Sequence, residues 1–223
     1  MAGYQNFIEF YDDFLGSRTV TATGAEGVVW EGTYTGTTPT TVIGGANGLL
    51  TLAHSSATEV QNVCVAFEDN LNFDIDFIQY AEFGVVMGQA ALDATSQFAF
   101  GMASARNDAI DSIAAHASFR VIGPTSTTAL VVETDSDTNG VDNDDVATGT
   151  TLINVQKKFR ISFTHGTADV RFYVDDNRVA AGTTFDMSNY ASGLQPYFQL
   201  SKASDNNTDA ASIDYVHIVS KRA

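Results

Sequence analysis

Two aspartates spaced two residues apart are the first candidates for chemistry. In Asn72-Phe73-Asp74-Ile75-Asp76-Phe77 the acids alternate with apolar residues. A strand over this segment puts Phe73, Ile75 and Phe77 on one face and Asp74 and Asp76 on the other. Same-face neighbours on a strand stand ~6.6–7 Å apart. Glycosidases place their carboxyl pair ~5–5.5 Å apart for retention and ~6.5–9.5 Å apart for inversion, so the spacing admits either mechanism. A solvated acidic face is the plainer reading in a chain with 27 acidic and 11 basic residues. Glu82 follows, beyond a turn that leaves its face open.

A second acidic run, Asp135-Ser136-Asp137-Thr138-Asn139-Gly140, has the D-x-D-x-N-G opening of a calcium loop. An EF-hand needs a bidentate Glu at position twelve, which here is Val146, and helices on both sides. A full EF-hand is therefore excluded. Asp142, Asn143, Asp144 and Asp145 add oxygens nearby, so Asp135, Asp137 and Asn139 are the candidate ligands for Ca²⁺. A solvated turn is the favoured alternative.

Other chemistries lack their residues. His54, His116, His165 and His217 show no H-x-H or H-x-x-x-H spacing, so no zinc set is recognisable. Cys64 is the only cysteine, which forbids an intrachain disulfide. Its strand-like setting, Asn62-Val63-Cys64-Val65-Ala66-Phe67, points to a packed thiol. There is no G-x-S-x-G elbow. Gly44-Gly45-Ala46-Asn47-Gly48 lacks the Lys and Ser/Thr of a phosphate-binding loop. Trp30, Tyr34, Tyr80, Tyr173, Tyr190 and Tyr197 are candidates for stacking on sugars, although Trp30 sits in an alternating strand and is expected in the core. No catalytic residue is assigned, and the chain is expected not to be an enzyme.

The elements that would position these residues are strands. Runs of aromatic and β-branched residues with period two are separated by Gly, Asn, Asp, Ser and Thr. They fall at Ile8–Phe14, Val28–Tyr34, Gly48–Ala53, Asn62–Phe67, Asn72–Tyr80, Phe83–Gly88, Gln97–Ala103, Ala117–Ile122, Ala129–Thr134, Phe159–Thr164, Asp169–Val174, Pro196–Lys202 and Ser212–Val219. Phe159–Thr164 and Asp169–Val174, joined across His165-Gly166-Thr167, form the strongest hairpin signal. Residues 102–115 lack an apolar stripe and are expected as a loop with one helical turn. About a dozen short strands without a Pro/Ser-rich linker predict one all-β domain over 1–223, built as a two-sheet antiparallel jelly-roll sandwich.

Composition narrows the partners. The formal charge of −16 leaves no basic face for releasing counterions from phosphates, which argues against nucleic acid. No stretch reaches the ~18 apolar residues of a membrane span. No basic start with an apolar run is present, so no secretory signal is expected.

Three segments carry a family resemblance. Glu9-Phe10-Tyr11-Asp12-Asp13-Phe14-Leu15-Gly16 with Trp30, the pair Phe159–Phe163 and Val170–Asp176, and Ala211–Ile218 resemble the first strands, a central hairpin and the closing strand of phage-encoded concanavalin-A-like proteins. The usual Gly of the hairpin turn is Asp176 here. The resemblance implies a sandwich of the lectin/glucanase type. The E-x-D-x-x-E strand of glycoside hydrolases on this fold has no match, since Asp74-Ile75-Asp76-Phe77-Ile78-Gln79 lacks both glutamates. It further implies a virion protein made in the host cytoplasm. That protein would be a capsid decoration (cement) protein that clamps the major capsid protein as a homo-oligomer, for instance a trimer. The alternatives are a carbohydrate-binding, lectin-like module of a phage fibre or surface protein, and a glycoside hydrolase.

Overall fold

The computed structural model describes residues 6–16, 20–22, 30–37, 40–44, 48–67, 73–136, 142–152 and 154–222. The first strands are β1 (Phe7–Asp12), β2 (Thr21–Ala22), β3 (Glu31–Thr35), β4 (Thr40–Gly44), β5 (Leu49–Ala53) and β6 (Glu59–Ala66). Then come β7 (Phe73–Asp74), β8 (Ile78–Met87), β9 (Ser96–Ala103), β10 (Ala115–Ile122) and β11 (Ala129–Ser136). The last are β12 (Asn143–Thr151), β13 (Lys157–Ser162), β14 (Arg171–Val174), β15 (Asn177–Val179), β16 (Gly193–Asp205) and β17 (Ala210–Lys221). Helix among the described residues is confined to two 3₁₀ turns, Ile110–Ser112 and Thr167–Asp169.

These strands form two sheets. One runs β15-β14-β13-β8-β17-β5-β4, with β1 also on β17; the other runs β12-β11-β10-β9-β16-β6-β3-β2, with β7 on β16. Pairing is antiparallel apart from the short parallel contact of β2 with β3. The all-β two-sheet sandwich expected from the period-two pattern is what the chain adopts.

Alternation explains the core. In β9 the large residues Phe98, Phe100 and Met102 point inward, and Ala99, Gly101 and Ala103 occupy the outer face. Phe119 of β10 and Phe198 of β16 join them from the same sheet, and Phe83 and Phe159 come from the other. Rings from the two sheets interlock: Phe100 and Phe159 are 4.9 Å apart, and Phe83 and Phe198 are 5.8 Å apart, both edge-on. Each such buried ring contributes roughly 1.5–3 kcal/mol of transfer free energy. Trp30 belongs to this core, as expected, with its ring 4.6 Å from Phe67.

The expected β13–β14 hairpin is present, and its register sets Phe159 opposite Val174 and Ile161 opposite Phe172. Asn72–Tyr80, in contrast, is not one strand. Chain pairing stops after Asp74, Phe77 N–H donates to Asp74 O at 3.0 Å, and β8 starts at Ile78. Residues 75–77 are a turn, and an apolar–polar alternation is compatible with either. The strand β12 was not anticipated, because Asn143-Asp144-Asp145 and its Thr/Gly continuation lack an apolar face.

Candidate functional site

Among the described residues, the outer face of the nine-stranded sheet carries a cluster of buried polar and charged side chains. It is assembled from alternate residues of neighbouring strands. In β10 the outward positions are His116, Ser118 and Arg120; in β11 they are Val131, Glu133 and Asp135. Register places Ser118 opposite Glu133 and Arg120 opposite Val131, so Arg120 and Glu133 are diagonal neighbours.

Arg120 is the hub of a charged cluster. Its Nη1 donates to Glu133 Oε2 and, at 2.5 Å, to Asp111 Oδ1; Asp145 Oδ1 is 3.9 Å away. Its Nη2 donates to Gln97 Oε1 at 3.1 Å. His116 Nε2 sits 2.6 Å from the other Glu133 oxygen. Arg120, Glu133 and His116 are buried, whereas the side chains of Asp111 and Asp145 are 73% and 50% exposed.

The carboxylates are pushed in opposite directions. Burial works to raise Glu133, but the hydrogen bond from His116 and the Arg120 charge outweigh it and hold the carboxyl below its usual range. Asp145 is raised: its own partial burial is the largest cause, and Glu133 and Asp111 add repulsion that the Arg120 charge does not cancel. Asp145 also has φ of 50°, in the left-handed region where a non-glycine residue is strained, a feature that clusters at functional sites.

A loop covers the middle of the same face. Residues 104–114 lay Ile110 and Ile113 onto Cys64, Ala66, Ala99, Ala103 and Tyr197. The small side chains of β6 and β9 make the bed. Asp108 pins the loop, because its carboxylate accepts from Asn62 Nδ2 at 3.1 Å and Thr35 Oγ1 at 3.0 Å. Beside the loop an open cleft of about 380 Å³ remains, with Thr35, Asn62, Gln97, Asp108 and Ser201 among its lining residues. The expected loop with one helical turn is therefore present, and Cys64 is packed under it.

The residues singled out from sequence fall elsewhere. Asp74 and Asp76 do not flank a cleft as a strand pair. Both are exposed, and Asp74 Oδ1 accepts the Asp76 N–H at 3.1 Å within its own turn. Asp135 lies on β11 opposite His116, while Asp137 and Asn139 lie outside the described residues. Among the described residues no group of three or more His, Cys, Asp or Glu is arranged to hold a metal ion. The Arg120 cluster was missed because its members come from β10, β11, β12 and a loop. Its only trace in the sequence is a period-two run of polar residues in two adjacent strands.

No family model matches the sequence, and no curated relative does. Solved structures match the fold over nearly the whole chain. An endo-1,3-beta-glucanase (laminarinase) catalytic domain from Thermotoga petrophila aligns with TM-score 0.63 at 10% identity, covering 96% of this chain and 97% of that one. A glycoside hydrolase family 16 endo-glucanase from Bacteroides ovatus gives 0.65 at 11%, covering 94% and 99%. The carbohydrate recognition domain of Emp47p gives 0.61 at 12%, covering 95% and 94%. The fold is thus the concanavalin-A-like jelly roll, and its structural neighbours include glycoside hydrolase family 16 proteins.

This corrects the functional expectation. The glucanases among these neighbours overturn the reading of a phage capsid decoration protein, and with it the virion and cement vocabulary. They equally overturn the expectation that the chain is not an enzyme. The expectation leaned on missing sequence motifs, whereas the Asp111, Glu133 and Asp145 carboxylates come together around Arg120 only in three dimensions.

Proposed function

We propose that the chain is a glycoside hydrolase acting on a polysaccharide laid over the outer face of the nine-stranded sheet, with Asp145 as proton donor and Asp111 as its partner. One observation carries this reading. Asp111 Oδ1 and Asp145 Oδ1 stand 2.5 Å and 3.9 Å from the same nitrogen, Arg120 Nη1. The two oxygens are therefore closer than the about 6.5 Å at which inverting pairs begin, which puts them on the retaining side.

The roles follow from the environments. Asp145, raised and half exposed, protonates the glycosidic oxygen as the bond to the anomeric carbon breaks. The Asp111 carboxylate attacks that carbon and forms a glycosyl ester. Asp145 then takes a proton from water, which attacks the same carbon and frees Asp111. Glu133 touches no substrate; buried, it holds the Arg120 guanidinium in place.

Reducing-end release from a panel of neutral β-glucans tests the proposal. Asp145→Asn and Asp111→Asn should each cut kcat by roughly 10²–10⁴-fold with the circular dichroism spectrum unchanged. Absence of turnover by the wild-type chain across the panel between about pH 4 and 8, the range spanning the carboxylate and imidazole values, would remove it.

A second reading is glycan recognition without turnover. Ile110 and Ile113 favour it by covering the middle of the face, which shortens the run of surface open to a polymer. Saturable glycan binding with no product would select it.

A further inference from the structure

The outer face of the eight-stranded sheet lies on the far side of the sandwich from the Arg120 cluster. Phe10, Phe83, Phe159, Phe172 and Val216 turn toward the core, so their neighbours along each strand turn outward. The register lines six of these up in one lateral row. Tyr11 of β1 is opposite His217 of β17, which is opposite Glu82 of β8; Glu82 is opposite Arg160 of β13, then come Tyr173 of β14 and Arg178 of β15.

This row is its own complement. Its midpoint falls between Glu82 and Arg160. A two-fold axis through that midpoint, in the plane of the face and along the strands, sets Glu82 against the second copy's Arg160. It also sets His217 against Tyr173 and Tyr11 against Arg178. These are an ion pair, a ring contact and a cation over an aromatic face, and each occurs twice, as an isologous contact requires. An in-plane axis across the strands would instead set Glu82 on Glu82 and Arg160 on Arg160. Charge therefore chooses the axis.

The side chains have capacity for these contacts. Tyr11 is 60% exposed, and Arg160 and Arg178 are 30% and 31% exposed. The acids that reach the two guanidiniums, Asp176 and Asp169, stand 3.6 Å and 3.9 Å away, beyond hydrogen-bond length. Arg160 rests on the Tyr173 ring at 4.7 Å, and Glu82 accepts from the Tyr215 hydroxyl at 3.0 Å. Both are thus held on the face with donors and an acceptor to spare.

Net charge favours the same face. Two copies at −16 each repel, and five of the 11 basic residues, Lys157, Lys158, Arg160, Arg171 and Arg178, fall on β13–β15. Six strands by the length of β13 cover about 24 Å by about 20 Å. Counted on both copies that is about 1,000 Å², where specific interfaces begin.

From this row we infer that the chain pairs with a second copy of itself through the outer faces of the two eight-stranded sheets. The pairing is a weak dimer about a two-fold axis along the strands, and it leaves the outer face of each nine-stranded sheet uncovered. It stands independently of the hydrolase reading.

Sedimentation equilibrium of the full chain tests it. The wild type should show a monomer–dimer equilibrium in the micromolar range. Glu82→Arg sets cation on cation and Arg160→Glu sets anion on anion, twice in each dimer, so each variant should lose at least about tenfold in affinity. An equimolar mixture of the two should regain the dimer, because each offers the other the opposite charge at both contacts. Tyr11→Ser changes an exposed ring and should weaken the dimer severalfold, which keeps the test open where a charge reversal fails to fold. A wild type that stays monomeric at about 0.5 mM, well above micromolar constants, overturns the pairing. So does a dimer that survives both reversals, a mixture of folded variants that stays monomeric, or indifference to Tyr11→Ser.

Discussion

The indole of Trp30 donates its N–H to Asp12 Oδ2 at 2.8 Å, deep in the sandwich. The other oxygen of Asp12 accepts the Phe14 N–H at 2.8 Å, at a residue held with φ of 53°. One buried carboxylate therefore fixes the exit of β1 and the ring that fills the core beneath it. Asp12→Ala leaves both donors without that acceptor and is expected to cost about 3 kcal/mol. Asp12→Asn keeps one acceptor oxygen and should cost about 1 kcal/mol. Trp30 is the only tryptophan, so its emission during urea unfolding reads the effect directly. Equal stability of wild type and Asp12→Ala would show that the contact contributes nothing.

The Arg120–Glu133 pair should behave as a coupled unit. Both side chains are almost fully buried, so removing one leaves the other with only its remaining partner, Asp111 for Arg120 and His116 for Glu133. Arg120→Met and Glu133→Gln are each expected to cost about 2–3 kcal/mol, below the about 3–5 kcal/mol of a buried charge left with no partner. The double variant should cost much less than their sum. A thermal-unfolding double-mutant cycle measures this; simple additivity would mean that the two charges are independently solvated.

Much of the fold was legible because alternation in this chain is backed by size. Phe98-Ala99-Phe100-Gly101-Met102-Ala103 tells a reader which face is core, and the structure puts the large residues there. The same habit misled at Asn72–Phe77, where a tight turn imitates a strand over a few residues. The charged cluster was illegible for a different reason. Arg120 and Glu133 become neighbours only through the β10–β11 register, and Asp111 and Asp145 reach them from a loop and from a strand with no hydrophobic signature. One sequence does not specify register where polar residues face outward.

Acid should destabilise the protein in two stages. His54 is buried, and burial lowers its imidazole below the ordinary 6.5. The unfolded chain then binds the proton more readily, so stability falls as pH drops below 6.5. Glu133 is also lowered, so its contribution is complete above 4.5 and fades as pH falls through the folded value. Chemical denaturation at pH steps from 8 to 3 should show both losses, and His54→Gln should abolish the upper one alone. Persistence of the upper loss in His54→Gln would assign it to another group.

Asp142 should act against that trend. Partial burial, then a hydrogen bond and repulsion from Asp144, push it up to about 6. A raised carboxyl favours the folded state at low pH and loses that contribution as pH rises through about 6. Carbon-detected NMR titration of the aspartate carboxyls should find one resonance moving near 6. In Asp144→Asn it should move back toward 3.8. An ordinary midpoint for Asp142 in the wild type would dismiss the influence of Asp144 on it.

Lys202 supplies the sharpest test of packing at the end of the sandwich. Its side chain is fully buried, and Nζ donates to Ser55 O at 2.8 Å, Ala57 O at 3.0 Å, Asp205 O at 2.9 Å and Asn207 O at 2.9 Å. An ammonium has three protons, so four carbonyls share them, with Asp205 Oδ1 at 3.8 Å balancing the charge. The lysine thereby ties the turn after β5 to the β16–β17 connection. Lys202→Met preserves the aliphatic stem and removes the donor, which should cost about 3–5 kcal/mol as for other broken buried ion contacts. Lys202→Arg should restore little of it, because a planar fork cannot reach carbonyls arranged around a point charge. In a domain of this size each kcal/mol lowers Tm by about 2–4 °C, so a calorimetric scan resolves both variants. A Lys202→Met protein that melts with the wild type would mean that the carbonyl cage stands without its ammonium.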